Sequence, residues 1–340
     1  MNILIIGFGT AGQNYFNILK KNKEIKKIYI CEKNQIPISN KYKKIEFNIS
    51  FIKKLKIRYA FISTPSNLHY KYSKLLLEHS INVLIEKPFV LKISHAKDLI
   101  NISNKKKVKC WVAFQNRHNL AIQKLKKVVK EKKLGKIFLT DCSLFWKRDK
   151  KYYRVSWRGK YSSDGGVLSN QAIHLIDAAI YIFGEVSKFT SIIRHNKKKL
   201  EAEDLAVLNF VHKNGLITNI KATTRADANY RSAMDVIGEQ GRALVKGISL
   251  NTFHIIKQDK IKNDKNNSEE FQKGEGQIGA MGSGHFKIIK EFIDKKNKNS
   301  SKDLEISKNL HVLYILHSIY NSKNDDKFSK VTNRQSKLGV

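Results

Sequence analysis

Along the first third of the chain, short apolar runs alternate with stretches whose apolar residues recur at helical spacing. NILII (2–6), KIYIC (27–31), RYAFIST (58–64), INVLIE (81–86) and VKCWVAF (108–114) are the apolar runs. Each is short and rich in β-branched and aromatic residues, so each predicts a strand. Between them lie amphipathic segments near 13–21, 67–78 and 93–103, which predict helices. Strands separated by helices predict a parallel sheet with right-handed crossovers.

The pattern changes after about residue 116. KIFLTDCSLFW (136–146), EDLAVLNFVH (203–212), LITNIKATT (216–224) and SAMDVIGEQGRALVKG (232–247) alternate in side-chain character. Turn signals at Lys213-Asn214-Gly215 and Glu239-Gln240-Gly241 separate them, as in antiparallel hairpins. A helix is predicted over 167–183, with two more near 281–295 and 304–321. Residues 257–278 are polar and predict an exposed loop. The expected organisation is an α/β Rossmann dinucleotide-binding domain over 1–116, then an α+β domain with a large, mostly antiparallel sheet over 117–340.

Candidate chemistry sits at strand ends. Gly7-Phe8-Gly9-Thr10-Ala11-Gly12 follows the first strand and opens the first helix. In this context the G-x-G-x-x-G spacing predicts a dinucleotide loop. Gly7 permits the tight turn, Gly9 lets backbone approach a pyrophosphate, and Gly12 lets helix and strand pack closely. Phe8, Thr10 and Ala11 complete the loop. Glu32, at the end of the second strand, is placed to bond ribose hydroxyls, which favours NAD; Lys33 beside it would tolerate NADP. Thr64-Pro65 and Glu86-Lys87-Pro88 end later strands, at the rim where ligands bind such sheets. Pro88 has no N–H for a ladder, so it stops the strand there and lets Lys87 project.

Further on, Asn170 and His174 are spaced i, i+4 in an otherwise apolar helix, after an Asp-Gly-Gly turn. A polar stripe there predicts a surface that faces a cleft or a specific partner. Asp177, one turn on, reads either as a group orienting His174 or as a structural link. Ahead of the helix, Arg154, Trp157 and Arg158 are suited to stack on a sugar or base and to fork onto carboxylate or phosphate.

Composition adds little to this. The formal charge is +36 over 340 residues, but the excess is spread along the chain and no nucleic-acid-binding motif accompanies it. A Lys-rich surface, not specific nucleic-acid binding, is the expectation. Only three cysteines occur, far apart, which predicts neither a disulfide framework nor a metal site. No apolar run is long enough to span a membrane, and a cytoplasmic enzyme is expected.

GFGTAG, AFISTPSNLHY and NVLIEKPF together resemble the glucose–fructose oxidoreductase / inositol dehydrogenase (Gfo/Idh/MocA) family. The resemblance implies that Lys87 lies near the nicotinamide of NAD, with Ser63, Thr64, Pro65, His69 and Glu86 at the cofactor site. It implies a catalytic His174, and a large second-domain sheet through which subunits form dimers or tetramers. The family often has Asp where this chain has Asn170, and a different turn where it has His79-Ser80-Ile81-Asn82-Val83. WRGKYSSDGGVLSNQAIHLID (157–177) looks like the branch that oxidises C3 of nucleotide-linked N-acetyl sugars or their uronates for surface polysaccharides. The implied roles are His174 as base, Lys87 and Asn170 as groups on the substrate hydroxyls, and Arg154, Trp157 and Arg158 as substrate contacts. A free-sugar or inositol dehydrogenase, a redox-neutral enzyme with tightly held NAD, and a nucleic-acid or regulatory binding protein are the alternatives.

Overall fold

A computed structural model describes residues 1–37, 40–195, 200–256, 268–270, 284–294, 302–322 and 327–340. The chain divides into two units: Met1–Phe114 with His285–Leu310, and Gln115–Gly284 with His311–Val340.

The first unit runs β1 (Asn2–Ile6), α1 (Thr10–Leu19), β2 (Lys27–Cys31), β3 (Lys43–Ile45), α2 (Ile49–Lys54), β4 (Ile57–Ile62), α3 (His69–Glu78), β5 (Asn82–Ile85), α4 (Ile93–Lys106) and β6 (Cys110–Val112). Its strands form a parallel sheet in the order β3-β2-β1-β4-β5-β6. Ile3 to Ile6, Ala60 to Ile62 and Val83 to Ile85 are buried, as expected of strands covered on both faces. The strand order reverses between β1 and β4, so the ends of these strands flank the crevice where such sheets bind ligands.

The second unit carries α5 (Leu120–Lys130), β7 (Ile137–Phe145), α6 (Lys150–Tyr153), α7 (Ile173–Phe183), β8 (Val186–Arg194), β9 (Leu205–His212), β10 (Ile217–Thr223), β11 (Arg231–Gly238), β12 (Gly241–Lys246), β13 (Thr252–Ile256) and β14 (Ser268–Glu270). After α8 (Gly284–Ile293) come α9 (Leu310–Asn321) and β15 (Ser329–Lys330). The sheet order is β14-β13-β12-β11-β7-β10-β9-β8-β15. All pairs are antiparallel except β7 with β10. Alternation decides its faces. Along β9, Ala206, Leu208, Phe210 and His212 are buried and the residues between them are half-buried. Helices α5 and α7 pack on this sheet.

Residues 285–310, placed with the second domain by sequence, pack in the first unit instead. The physical reason is Phe292 of α8, fully buried with its ring 5.4 Å from Tyr59, 5.6 Å from Phe61 and 5.6 Å from Trp111. Burying a phenylalanine among aromatics is worth about 3 kcal/mol or more. Its hydrophobic partners are remote in sequence, so no local pattern announces the return. The expected loop over 257–278 lies outside the described residues apart from β14. No helix among the described residues is long and apolar enough to cross a membrane. Cys31, Cys110 and Cys142 are buried free thiols.

Candidate active site

In the first unit, the loop after β1 is shaped by contacts that exclude side chains. Gly7 has φ +89°, and a Cβ there would meet the Ser63 carbonyl oxygen at 2.6 Å. A Cβ on Gly12 would collide with the Gly7 carbonyl oxygen. Gly9 differs: among the described residues nothing lies within 4 Å of where its Cβ would be. Gly9 also caps α1 without a side chain, leaving the first helical N–H groups for an anion. Phe8, Thr10 and Ala11 carry the chain through this turn. An open glycine beside a helix N-terminus fits a dinucleotide pyrophosphate.

Three ties join the strand ends. The Ser63 hydroxyl donates to the Gly7 carbonyl oxygen at 2.9 Å, fixing the β4 end to the glycine turn. The Glu32 carboxylate accepts from the Phe8 N–H at 2.7 Å and the Asn34 N–H at 3.0 Å. It is thereby held beside the glycine loop, where ribose hydroxyls would reach it. His69 is buried, and its ring nitrogens lie 2.9 Å from the Pro88 and Thr64 carbonyl oxygens. It staples the Thr64-Pro65 turn to the Lys87-Pro88 turn. Burial pushes its pKa down against those carbonyls, which pull it up.

The Lys87–Pro88 peptide bond is cis. Lys87 is half-buried, whereas Glu86 is almost wholly buried. The Tyr15 hydroxyl donates to Glu86 Oε1 at 2.5 Å, and His285 Nε2 lies 3.5 Å from the same oxygen. Burial alone would raise the Glu86 pKa. The His285 imidazole, the Tyr15 hydroxyl and the Lys87 charge outweigh it and bring the value to about 2. A carboxylate is therefore held ionised next to Lys87.

The second unit builds its cluster around the start of α7. Leu168–Ala172 is a π-helical turn leading into α7. Such wide turns recur at functional sites because they re-aim side chains. From Ser163 to Ala179 only Asn170 and His174 are half-buried, and the rest are buried. The Asn170 amide donates to Asp164 Oδ2 at 2.6 Å and to the Tyr152 hydroxyl oxygen at 3.4 Å. Gln171 donates to the same hydroxyl at 3.1 Å. Both Asn170 N–H groups are thus committed, which fixes the orientation of its side chain. Arg158 stacks 3.7 Å above the Tyr152 ring and lies 4.7 Å from Trp157. Arg154 is exposed just beyond α6.

Asp177 is forked onto Arg117, with Nε at 3.0 Å and Nη2 at 2.5 Å, both side chains buried. Glu203 supports the other end. Its Oε1 accepts from the Leu168 N–H at 2.9 Å and the Tyr320 hydroxyl at 2.8 Å. Gly166 is needed there, because a Cβ would strike Glu203. Burial pushes the Glu203 pKa up to about 7 in spite of these bonds.

The sequence pattern reached Asn170, His174, Arg158 and the strand-end residues. It did not single out Asp164 or Gln171 as site residues, although the Asp-Gly-Gly turn flagged their neighbourhood. Tyr15, Glu203 and His285 carry no motif signal at all. Among the described residues, no group of three or more His, Cys, Asp or Glu is placed to hold a metal ion.

The fold has counterparts among known proteins. Residues 1–114 match the oxidoreductase family with an NAD-binding Rossmann fold, and residues 122–244 match the GFO/IDH/MocA C-terminal domain. The chain belongs to the Gfo/Idh/MocA family. It is an NAD-dependent oxidoreductase. The oxidoreductase YrbE of Bacillus subtilis is 23% identical over 272 residues, 77% of this chain and 78% of that one. The scyllo-inositol 2-dehydrogenase (NADP(+)) IolW of Bacillus subtilis is 24% identical over 44% of this chain, and the match spans 41% of IolW. The crystal structure of the WlbA dehydrogenase from Bordetella pertussis, in complex with NADH and UDP-GlcNAcA, superposes with a TM-score of 0.81. It is 21% identical and the match covers 97% of this chain and 98% of that one.

Proposed function

We propose that this Gfo/Idh/MocA oxidoreductase oxidises a secondary alcohol of a sugar, C3 of a nucleotide-linked N-acetyl sugar or its uronate. The observation that carries the reading is the α7 cluster. Asn170 and His174 are the half-buried polar positions of a buried helix, with the Asn170 amide pinned by Asp164 and Tyr152. The WRG and NQ-x-IH residues and the UDP-GlcNAcA bound by the WlbA relative support the nucleotide-linked class.

NAD, held by the Gly7–Gly12 loop and Glu32, supplies the hydride acceptor. The chain's own residues handle the proton and the geometry. His174 takes the hydroxyl proton as general base. Lys87 stabilises the negative charge that develops on a substrate oxygen as the carbonyl forms. Glu86, kept ionised by Tyr15 and His285, holds the Lys87 turn. Asn170 bonds a neighbouring substrate hydroxyl and fixes the sugar's orientation. His174→Ala and Lys87→Ala are each expected to lower kcat by about a hundred- to ten-thousand-fold. Absorbance of NADH over a panel of UDP-N-acetyl sugars, their uronates, free sugars and inositols measures this. Turnover of none of them would refute the reading. Turnover of inositols or free sugars alone would favour the second reading, a cyclitol or free-sugar dehydrogenase like the relative IolW.

We assign the face of the second-unit sheet opposite its buried residues to a subunit interface. Leu139, Val207, Ile192 and Ile217 lie there, interspersed with the Asp141–Lys221 and Asn209–Asn219 pairs. Light scattering should find a dimer or tetramer, and Val207→Arg should shift it towards monomer. A monomeric wild-type protein would remove this assignment.

A further inference from the structure

Trp146, Arg148, Tyr152, Arg158 and Trp157 form a continuous series of aromatic rings and guanidinium groups in the second unit. Arg148 lies 4.8 Å from the Trp146 ring and 5.2 Å from the Tyr152 ring. Arg158 lies 3.7 Å from the Tyr152 ring and 4.7 Å from Trp157. The series is anchored at two points. The Trp146 indole N–H donates to the Ser232 hydroxyl at 2.9 Å. The Tyr152 hydroxyl accepts from Gln171 and Asn170.

Two cations on one ring repel each other unless an anion joins them. Among the described residues, neither Arg148 nor Arg158 has a carboxylate at ion-pair distance. The nearby acids are otherwise engaged. Asp149 caps α6 by accepting from the Tyr152 N–H at 2.9 Å, and Asp164 accepts from Asn170. Arg148 spends one N–H on the Lys147 carbonyl oxygen at 2.6 Å. The Arg158 Nε is buried and has no hydrogen-bond partner among the described residues. A guanidinium stacked by its face keeps its N–H edges in plane, the geometry that grips phosphate or carboxylate oxygens two at a time. The Tyr152 hydroxyl, already accepting twice, has its own hydrogen left to donate.

We propose that Arg148 and Arg158, held on Tyr152, are the site that takes the anionic part of the substrate, a diphosphate or a sugar carboxylate. The inference rests on the nucleotide-sugar reading and gives it a place in the fold. Tyr152 connects this anion site directly to Asn170, so the charged group and the oxidised sugar are positioned by one hydrogen-bonded unit. Arg154, exposed beyond α6, is not required.

Calorimetry of the full-length protein with UDP, inorganic pyrophosphate and glucuronate, together with KM values for UDP-N-acetylglucosamine and its uronate, tests the proposal. Arg148→Ala and Arg158→Ala should each weaken UDP binding or raise the KM for the uronate tenfold or more, with the KM for NAD within twofold of wild type. Lys54→Ala, a surface control in the first unit, should leave UDP binding unchanged. Loss of UDP and pyrophosphate binding in the arginine variants identifies the diphosphate as the ligand. A tenfold rise in KM confined to the uronate identifies the carboxylate. Arg148→Lys and Arg158→Lys keep the charge and guard against misfolding; they should recover only part of the affinity, because an ammonium cannot fork. Unchanged binding of UDP, pyrophosphate and glucuronate with an unchanged KM for the uronate in both alanine variants, or an equal loss in Lys54→Ala, overturns the site. UDP binding that depends on both arginines, with no turnover of any nucleotide sugar, would keep the anion site and reject the proposed reaction.

Discussion

Glu86 in the first unit and Glu203 in the second are both buried carboxylates beside a functional segment, and their surroundings drive them in opposite directions. Glu86 faces Tyr15, His285, His69 and Lys87, and is held ionised with a pKa of about 2. Glu203 faces Tyr320, Tyr161, Lys337 and the Leu168 N–H, and burial prevails, lifting it to about 7. The difference lies in what each oxygen meets. Glu86 has an imidazole and a neighbouring ammonium to offset the loss of water. Glu203 has neutral donors close by and only a distant cation. Buried charge survives where an opposite charge is near, and otherwise takes up a proton. The first unit thus keeps a fixed negative charge at its lysine turn, and the second keeps a proton-sensitive support under the start of α7.

The comparison can be broken most forcefully at Glu86. Glu86→Ala should cost about 3–5 kcal/mol at neutral pH, since it strands Tyr15 and His285. Urea denaturation measures it, and a loss below about 1 kcal/mol would mean the cluster is not coupled as described. The same group gives the molecule an acid-side signature. Its folded pKa lies below the unfolded value of 4.5, so the stabilisation is present above that value and lost as pH falls towards 2.

Glu203 should show the reverse. Its folded pKa lies above the unfolded 4.5, so its contribution is complete below pH 4.5 and disappears as pH rises through about 7. The size is about 3 kcal/mol, from the difference between those values. Glu203→Gln keeps an oxygen for Leu168 and Tyr320 and cannot ionise. Its melting temperature should therefore be flat where the wild type falls between pH 4.5 and about 7. Parallel curves for the two proteins would show that Glu203 does not titrate in this range.

The smallest effect is expected from Tyr15→Phe, which removes one hydrogen bond to a charged acceptor. About 1.5 kcal/mol should be lost, and the acid-side decline should begin at higher pH because Glu86 becomes easier to protonate. Acid unfolding followed by circular dichroism would reveal this shift or its absence.

Much of the molecule was legible in the chain. Strand runs ending in Gly7, Thr64-Pro65 and Glu86-Lys87-Pro88 marked the rim of the first unit, because proline and glycine constrain the backbone locally. Asn170 and His174 stood out because polar residues at helical spacing interrupt an apolar run. Hydrophobic periodicity, turn residues and strand-end punctuation act over a few residues, so they are readable in one dimension.

The supports of those residues were not. Tyr15 reaches Glu86 across 71 residues, and Tyr320 reaches Glu203 across 117. His285 arrives on α8, a helix that returns to the first unit because Phe292 completes its aromatic core. Arg148 and Arg158 sit on one ring although nothing in their spacing pairs them. Contacts of this kind depend on which buried surfaces fit together once the sheets have formed. Their chemistry is written in single residues with no local pattern, so packing alone brings them to the site.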